Sequence, residues 1–255
     1  MMIKFSKSGM ALLAAGLLLG TAGMASADEI GVAVAANFTE PATEIAAGFE
    51  AETGHKVSLS FGSSGKLYAQ ITQGAPFVAF LSADAARPAA AEADGFGVAG
   101  TSFTYAIGQL ALWSANPTLI DVDGAVLKSG GFAHLAIANP ESAPYGKAAV
   151  ETLQALGVAD ALNEKMVMGD SITQTFQFVQ SGNAELGFVA RSQIAGMDDG
   201  SRWVVPPELY APILQNAVLL KPGKDSAAAR AFIDYLKGDK AKEIIEAFGY
   251  GLPDR

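Results

Sequence analysis

The sequence contains no cysteine. A disulfide framework, a thiolate metal site and a cysteine nucleophile are therefore all excluded. Imidazole is nearly as scarce, with only His55 and His134 among 255 residues. His55 follows Gly54 just ahead of a strand and reads as a turn residue. His134 opens a strand and reads as structural. Positive charge is short as well: 17 Lys+Arg stand against 26 Asp+Glu, a net charge of −9. An acidic surface argues against a nucleic-acid partner. It also means that any anion the protein holds is not drawn in by bulk charge and must be held by local dipoles.

Long apolar runs are missing except at the start. Lys4 and Lys7 precede an apolar stretch, Met10 to Gly20, that is too short to span a bilayer. Ala25-Ser26-Ala27 follows as a small-residue cleavage site. Residues 1–27 thus read as a secretory signal peptide. Losing them, with their two lysines, takes the net charge from −9 to −11. With no cysteine at the cleavage site, a lipid anchor is not expected. The remaining chain, Asp28 to Arg255, is long enough for one large domain or two small ones.

The most informative stretch is Phe61 to Leu67, FGSSGKL. The run before it, Lys56 to Ser60, alternates apolar residues and reads as a strand. Lys66 to Gly74 carries helix formers and a terminal glycine. A tight turn of Gly62, Ser63, Ser64 and Gly65 joins them. Backbone N–H groups at a helix start have no intrahelical partner, and the helix dipole makes that end positive. Such a turn is a seat for an anion. Three further strand-to-helix junctions repeat the plan. Ile30 to Ala36 leads through Asn37 into a helix with Ala42, Ile45, Ala46 and Phe49 on one face. His134 to Pro140 leads through the loop Asn139 to Gly146 into a helix bearing Ala149, Leu153 and Leu156. Gly169-Asp170-Ser171 leads into a helix bearing Ile172, Phe176 and Val179.

Other elements fill the order. Phe77 to Asp84 is a strand and turn, and Ser82 to Ala93 a small-residue helix. Ile107 to Trp113 reads as one long strand, Leu186 to Ala190 and Asn216 to Leu220 as two more, and two helices close the chain. These βα units fall into two groups, and the late elements return to the first. The expected fold is α/β: a two-lobed plan of open sheets flanked by helices, with a ligand cleft at the strand C-termini and hinge closure as its motion. The expected division is 28–105 plus 217–255 for lobe I and 106–216 for lobe II.

Enzyme chemistry finds little support. Gly62-Ser63-Ser64-Gly65 lacks the spacing of a Gly-x-Ser-x-Gly elbow. It also lacks the spacing of a P-loop. Asp84 and Asp170 sit where capping is the ordinary role, and Asp121 with Asp123 reads as a solvated turn rather than a cation site. An exported hydrolase using Ser63 or Ser64 has no placed base. Lys66 and Lys147, beside the seats, read as solvated.

The motifs AANFTEP, SFGSSGKLYAQI, APFVAFLSAD, NPESAPYGKAA, GDSITQT and LGFVA, in this order over Ile30 to Leu252, resemble the periplasmic molybdate-binding proteins of ABC importers. The resemblance implies a two-lobed periplasmic binding protein of the type II kind. It implies that the protein captures molybdate, with tungstate, and delivers it to a membrane permease. No catalysis and no resident cofactor are implied. Molybdenum would enter as an oxyanion, not as a bare cation, and the protein would work as a monomer. Carried over residue by residue, the ligand donors are Asn37, Ser64 (hydroxyl and N–H), Tyr145 (backbone) and Ile172 (backbone). Some members have serine at Asn37, where an amide still donates. Some have a tyrosine donor where this chain has Ala190. The alternatives are the same plan built for sulfate or for a small organic acid, the latter calling for an arginine fork.

Overall fold

The computed structural model describes residues 1–2, 27–121 and 123–253. Most of the expected leader lies outside the described residues. β1 (Glu29–Ala35) runs through a single 3-10 turn (Ala36–Phe38) into α1 (Thr39–Thr53). This helix buries Pro41, Ala42, Ile45, Ala46 and Phe49, the face the apolar spacing predicts. Each fully buried Ile or Phe there contributes about 1.5–3 kcal/mol. Gly54 stops the helix in a left-handed conformation (φ 77°) that lets its N–H reach the Glu50 carbonyl. The chain continues as β2 (Lys56–Gly62), α2 (Ser64–Thr72), β3 (Ala79–Leu81), α3 (Ala86–Ala93), β4 (Phe103–Gly108), β5 (Leu110–Ser114) and the one-turn α4 (Val126–Ser129). Then follow β6 (Leu135–Ala138), α5 (Pro144–Ala155), α6 (Ala159–Leu162), β7 (Met166–Gly169), α7 (Ile172–Gln180) and β8 (Leu186–Ala190). β9 (Ser201–Val204), β10 (Ile213–Leu219), α8 (Ala227–Lys237) and α9 (Asp239–Ala247) complete it.

The strands form two five-stranded sheets, ordered β2-β1-β3-β10-β4 and β7-β6-β8-β5-β9. In the first, β1 lies parallel to β2 and β3, while β10 is antiparallel to β3 and β4. In the second, β6 lies parallel to β7 and β8, while β5 is antiparallel to β8 and β9. The two lobes thus share one plan. In each, the two parallel strands β1–β2 or β6–β7 end at the junctions that the sequence marks as seats.

Three expectations change. The predicted strand from Ile107 to Trp113 is two strands in different sheets. β4 pairs with β10 through Gly108, and β5 pairs with β8 from Leu110, so the chain changes sheet at Gln109. The predicted lobe limits at 105/106 and 216/217 would cut through the β4–β10 pair. That pair instead stays whole, with Gly108 opposite Ile213 and a bulge at Gln215/Asn216, and the return crossing lies within residues 205–212. The predicted helix from Ser82 begins only at Ala86. Pro88 has no N–H to donate, so it is tolerated in a first turn and breaks a helix further in.

Candidate functional site

The four seats meet. Asn37, Ser64, Tyr145 and Ile172 line one cavity between the lobes, together with Ala35, Ala36, Ser63, Ala83, Ala143 and Pro144. Its cavity volume is only about 10 Å³. That is below the roughly 300–1,000 Å³ of clefts that take drug-sized ligands. No charged residue is among the lining residues. Each seat lies just past the C-terminus of a parallel strand: Asn37 after β1, Ser64 after β2, Tyr145 after β6 and Ile172 after β7. Ser64 and Ile172 are the first residues of α2 and α7, and Tyr145 is the second of α5. N–H groups at these positions have no intrahelical acceptor, and three helix dipoles present their positive ends here. All four residues are buried, Ser64 and Tyr145 at 1% exposure.

The seats differ in what they offer. Ser64 Oγ accepts from the Ala83 N–H (2.9 Å), which leaves its own proton to donate into the cavity. Asn37 departs from expectation. Its amide donates to Gln215 Oε1 and to the Tyr250 hydroxyl, both at 2.9 Å, so both amide hydrogens are engaged. What remains to donate to a ligand is its backbone N–H. The Asn37 carbonyl accepts from Tyr250 (2.7 Å) and from Ser192 Oγ (3.0 Å). Gln215 in turn accepts from Tyr105 (3.1 Å) and donates to the Tyr145 hydroxyl (3.1 Å). A buried polar network thus fixes the first-lobe seat at Asn37 and the second-lobe seat at Tyr145 in one frame. Sequence reasoning did not find Gln215, Tyr250 or Ser192, because nothing local marks them. The position the resemblance marks for a tyrosine is Ala190, buried, with its N–H on Gln193 Oε1 (3.0 Å).

Contacts between the lobes surround the cavity. The Gly65 N–H donates to the Ser142 carbonyl (2.8 Å), Arg87 Nη2 to the Glu141 carbonyl (3.0 Å) and Thr173 Oγ1 to the Ala36 carbonyl (3.2 Å). Lys66 Nζ lies 2.7 Å from Asp170 Oδ2. Asp170 therefore does not cap α7; Ser171 does, accepting from the Gln174 N–H (3.3 Å). Lys66, expected to be solvated, is the other half of this bridge, and Lys147 pairs along its own helix with Glu151 (3.8 Å). Both Lys66 and Asp170 are more than half exposed, so their pair contributes at most about 1 kcal/mol. Asp84 does act at a helix start, accepting from the Arg87 N–H (2.9 Å). Asp121 accepts from the Asp123 and Ala125 N–H groups as a turn residue. No cluster of acidic and imidazole side chains suited to a cation occurs among the described residues. His55 accepts from the Asp28 N–H, and His134 lies 3.8 Å from Glu185.

Burial in this network pushes the Tyr250 phenol up to about 12, and the Tyr105 and Tyr145 phenols well above their usual range. An acid whose folded pKa exceeds its unfolded value stabilises the fold below the unfolded pKa. That stability disappears as pH rises through the folded one. Unfolded tyrosine ionises near 10. The thermal midpoint is thus expected to fall between about pH 10 and about pH 12, with phenolate absorbance appearing together with unfolding. Full ionisation near pH 10 of a still-folded chain would contradict the burial argument.

Two α/β lobes, crossed twice by the chain and closing on a small donor-lined cavity, define a two-lobed binding protein. The comparisons agree with that class. The model of the family described as bacterial extracellular solute-binding protein matches residues 30–251. The molybdate-binding protein ModA of Rhodobacter capsulatus is 56% identical over 234 residues, covering 92% of each chain. ModA of Azotobacter vinelandii is 56% identical over 243 residues, covering 94% of this chain and 95% of its own. The solved periplasmic molybdate-binding protein of Azotobacter vinelandii superposes with a TM-score of 0.85 at 44% identity, over 88% of this chain and all of that one. The chain belongs to the bacterial extracellular solute-binding protein family, in the branch of the ModA proteins.

Proposed function

We propose that this chain is a periplasmic receptor that captures molybdate, and tungstate, and hands it to the permease of an ABC importer. In this reading it acts as a monomer, without catalysis and without a resident cofactor. The observation that carries it is the convergence of Asn37, Ser64, Tyr145 and Ile172 on one uncharged cavity at strand ends and helix starts. Such a site supplies donors and no counter-charge, which suits a fully deprotonated dianion. A charge-assisted hydrogen bond contributes about 1.5–3 kcal/mol. Five or so of them, set against association costs, support a free energy of roughly −10 kcal/mol, a sub-micromolar constant. Hydrogen phosphate keeps a proton that needs an acceptor. Asp170, two residues before the seat at Ile172, is paired with Lys66 and does not line the cavity. The names of the relatives support molybdate over the other oxyanions.

An organic acid is disfavoured by where the arginines are spent. Arg87 reaches Asp84 and the Glu141 carbonyl, Arg191 reaches Gln109, Arg202 reaches the Ile194 carbonyl and Arg230 that of Lys224. None of these four lines the cavity. Calorimetric titration of the mature chain with molybdate, tungstate, sulfate and phosphate tests the reading. Sub-micromolar binding of the first two with weak or no binding of the others is expected; silence with molybdate overturns it. Ser64→Ala is expected to weaken molybdate binding by about 1–3 kcal/mol. An unchanged constant would remove Ser64 from the donor set.

A further inference from the structure

Ser63 stands immediately before Ser64 and immediately before α2, at the N-cap position. Its backbone is extended there (φ −66°, ψ 144°), the conformation from which a serine side chain ordinarily accepts from the N–H two or three residues on. Two other serines of this chain do so. Ser171 caps α7 through the Gln174 N–H, and Ser226 caps α8 through the Ala229 N–H (3.1 Å). Ser63 does not cap α2. Its residue is 4% exposed, and its Oγ is buried without a hydrogen-bond partner. A buried hydroxyl left unpaired destabilises a fold, and such groups are rare enough to need a reason. Ser63 lines the same cavity as the four seats.

We infer that Ser63 is a fifth ligand group, whose hydroxyl donates to the bound tetrahedral oxyanion. The inference rests on the reading of the cavity as an oxyanion site. It accounts for a capping serine that does not cap. The proton that would otherwise sit idle is kept for the anion, and the stability lost in the unliganded protein returns when the anion accepts it. Ser63 and Ser64 then present adjacent hydroxyls from one turn. One of them is anchored by Ala83, and the other is free to rotate to the ligand.

The test compares Ser63→Ala, Ser226→Ala and the unmodified mature chain, each measured for thermal midpoint without ligand and for affinity toward molybdate, tungstate, sulfate and phosphate. Ser63→Ala is expected to keep or raise the unliganded midpoint, because no cap is lost and an unpaired hydroxyl is removed. It is also expected to weaken oxyanion binding on the order of tenfold to a hundredfold. Ser226→Ala is expected to show the opposite pattern, a lower midpoint with unchanged affinity. If Ser63→Ala does not fold, Ser63→Cys, close in shape and a weaker donor, gives the same comparison. Unchanged affinity in a folded Ser63 variant overturns the inference, as does a fall in midpoint like that of Ser226→Ala with no change in affinity. Should the unmodified chain bind sulfate in place of molybdate and Ser63→Ala weaken that binding, the role of Ser63 stands and the molybdate reading falls. Binding of none of the four anions overturns both.

Discussion

Gly65→Val is expected to leave both lobes folded and to weaken oxyanion binding about tenfold to a hundredfold, the effect of a closed state made 1–3 kcal/mol harder to reach. Gly65 is a point of close backbone approach between the lobes. Its N–H bonds the Ser142 carbonyl across the cleft at 2.8 Å. A Cβ at this position would lie 2.9 Å from Ser142 Cα, 3.0 Å from Arg87 Nη2 and 3.1 Å from the Ser142 oxygen. The first and last of these are backbone atoms, which cannot swing aside as a side-chain tip can. The backbone collision, with Ser142, is between lobes and not within one, so the variant relieves it by opening the cleft. Opening parts Ser64 from Tyr145 and Ile172 and divides the donor set. Small-angle scattering should show compaction on molybdate addition for the unmodified chain and little for Gly65→Val, with similar thermal midpoints for both without ligand. Normal compaction and an unchanged constant would mean that the close approach at Gly65 is not part of the binding-competent state.

Gly65 also shows how far the sequence reaches. FGSSGKL reads as a strand, a turn and a helix start from local chemistry alone, because alternation, small residues and periodicity are all local. The same grammar brings out β1 and β6 with the helices after them, and the helix after Gly169-Asp170-Ser171, and with them the four seats. Two kinds of feature escape it. One is the choice of sheet. Ile107 to Trp113 reads as one strand despite Gln109 in its middle, and its pairing partners, β10 on one side of Gln109 and β8 on the other, divide it. The other is the direction in which a polar group spends its hydrogen bonds. Asn37 reads as a ligand amide, but its partners Gln215 and Tyr250 lie 178 and 213 residues away. Asp170 reads as a cap, while its neighbour Ser171 takes that role and frees the carboxylate to meet Lys66 across the cleft. Of the adjacent serines, nothing in their order says that Ser64 is held by Ala83 and Ser63 by no one. Tertiary partners decide these matters, and the sequence names types and positions but not partners.

Gln215→Met is expected to be the most destabilising single change in the polar network, by about 3–6 kcal/mol. Gln215 is fully buried. Its oxygen accepts from Asn37 and Tyr105, and its nitrogen donates to the Tyr145 hydroxyl. Methionine is close in shape, so the cavity penalty is small and the loss is one of pairing. Three buried polar atoms lose a partner at a cost of about 1–3 kcal/mol each, reduced where a second partner remains. The Asn37 amide keeps Tyr250, and Tyr105 keeps the Ser82 carbonyl within 3.3 Å. Against a total stability of about 5–15 kcal/mol this is a large share. For a chain of this size it corresponds to a fall in thermal midpoint of roughly 10–20 °C. A second change separates pairing from packing. Adding Tyr145→Phe to Gln215→Met removes the hydroxyl that has lost its Gln215 donor, so the double variant is expected to be less destabilised than the sum of the two single changes. Additive losses would mean that Gln215 matters through its shape alone. Affinity should follow the same network. With Asn37 and Tyr145 no longer held in one frame by Gln215, their N–H groups lose alignment on a common anion, and molybdate binding is expected to weaken even under conditions where Gln215→Met remains folded.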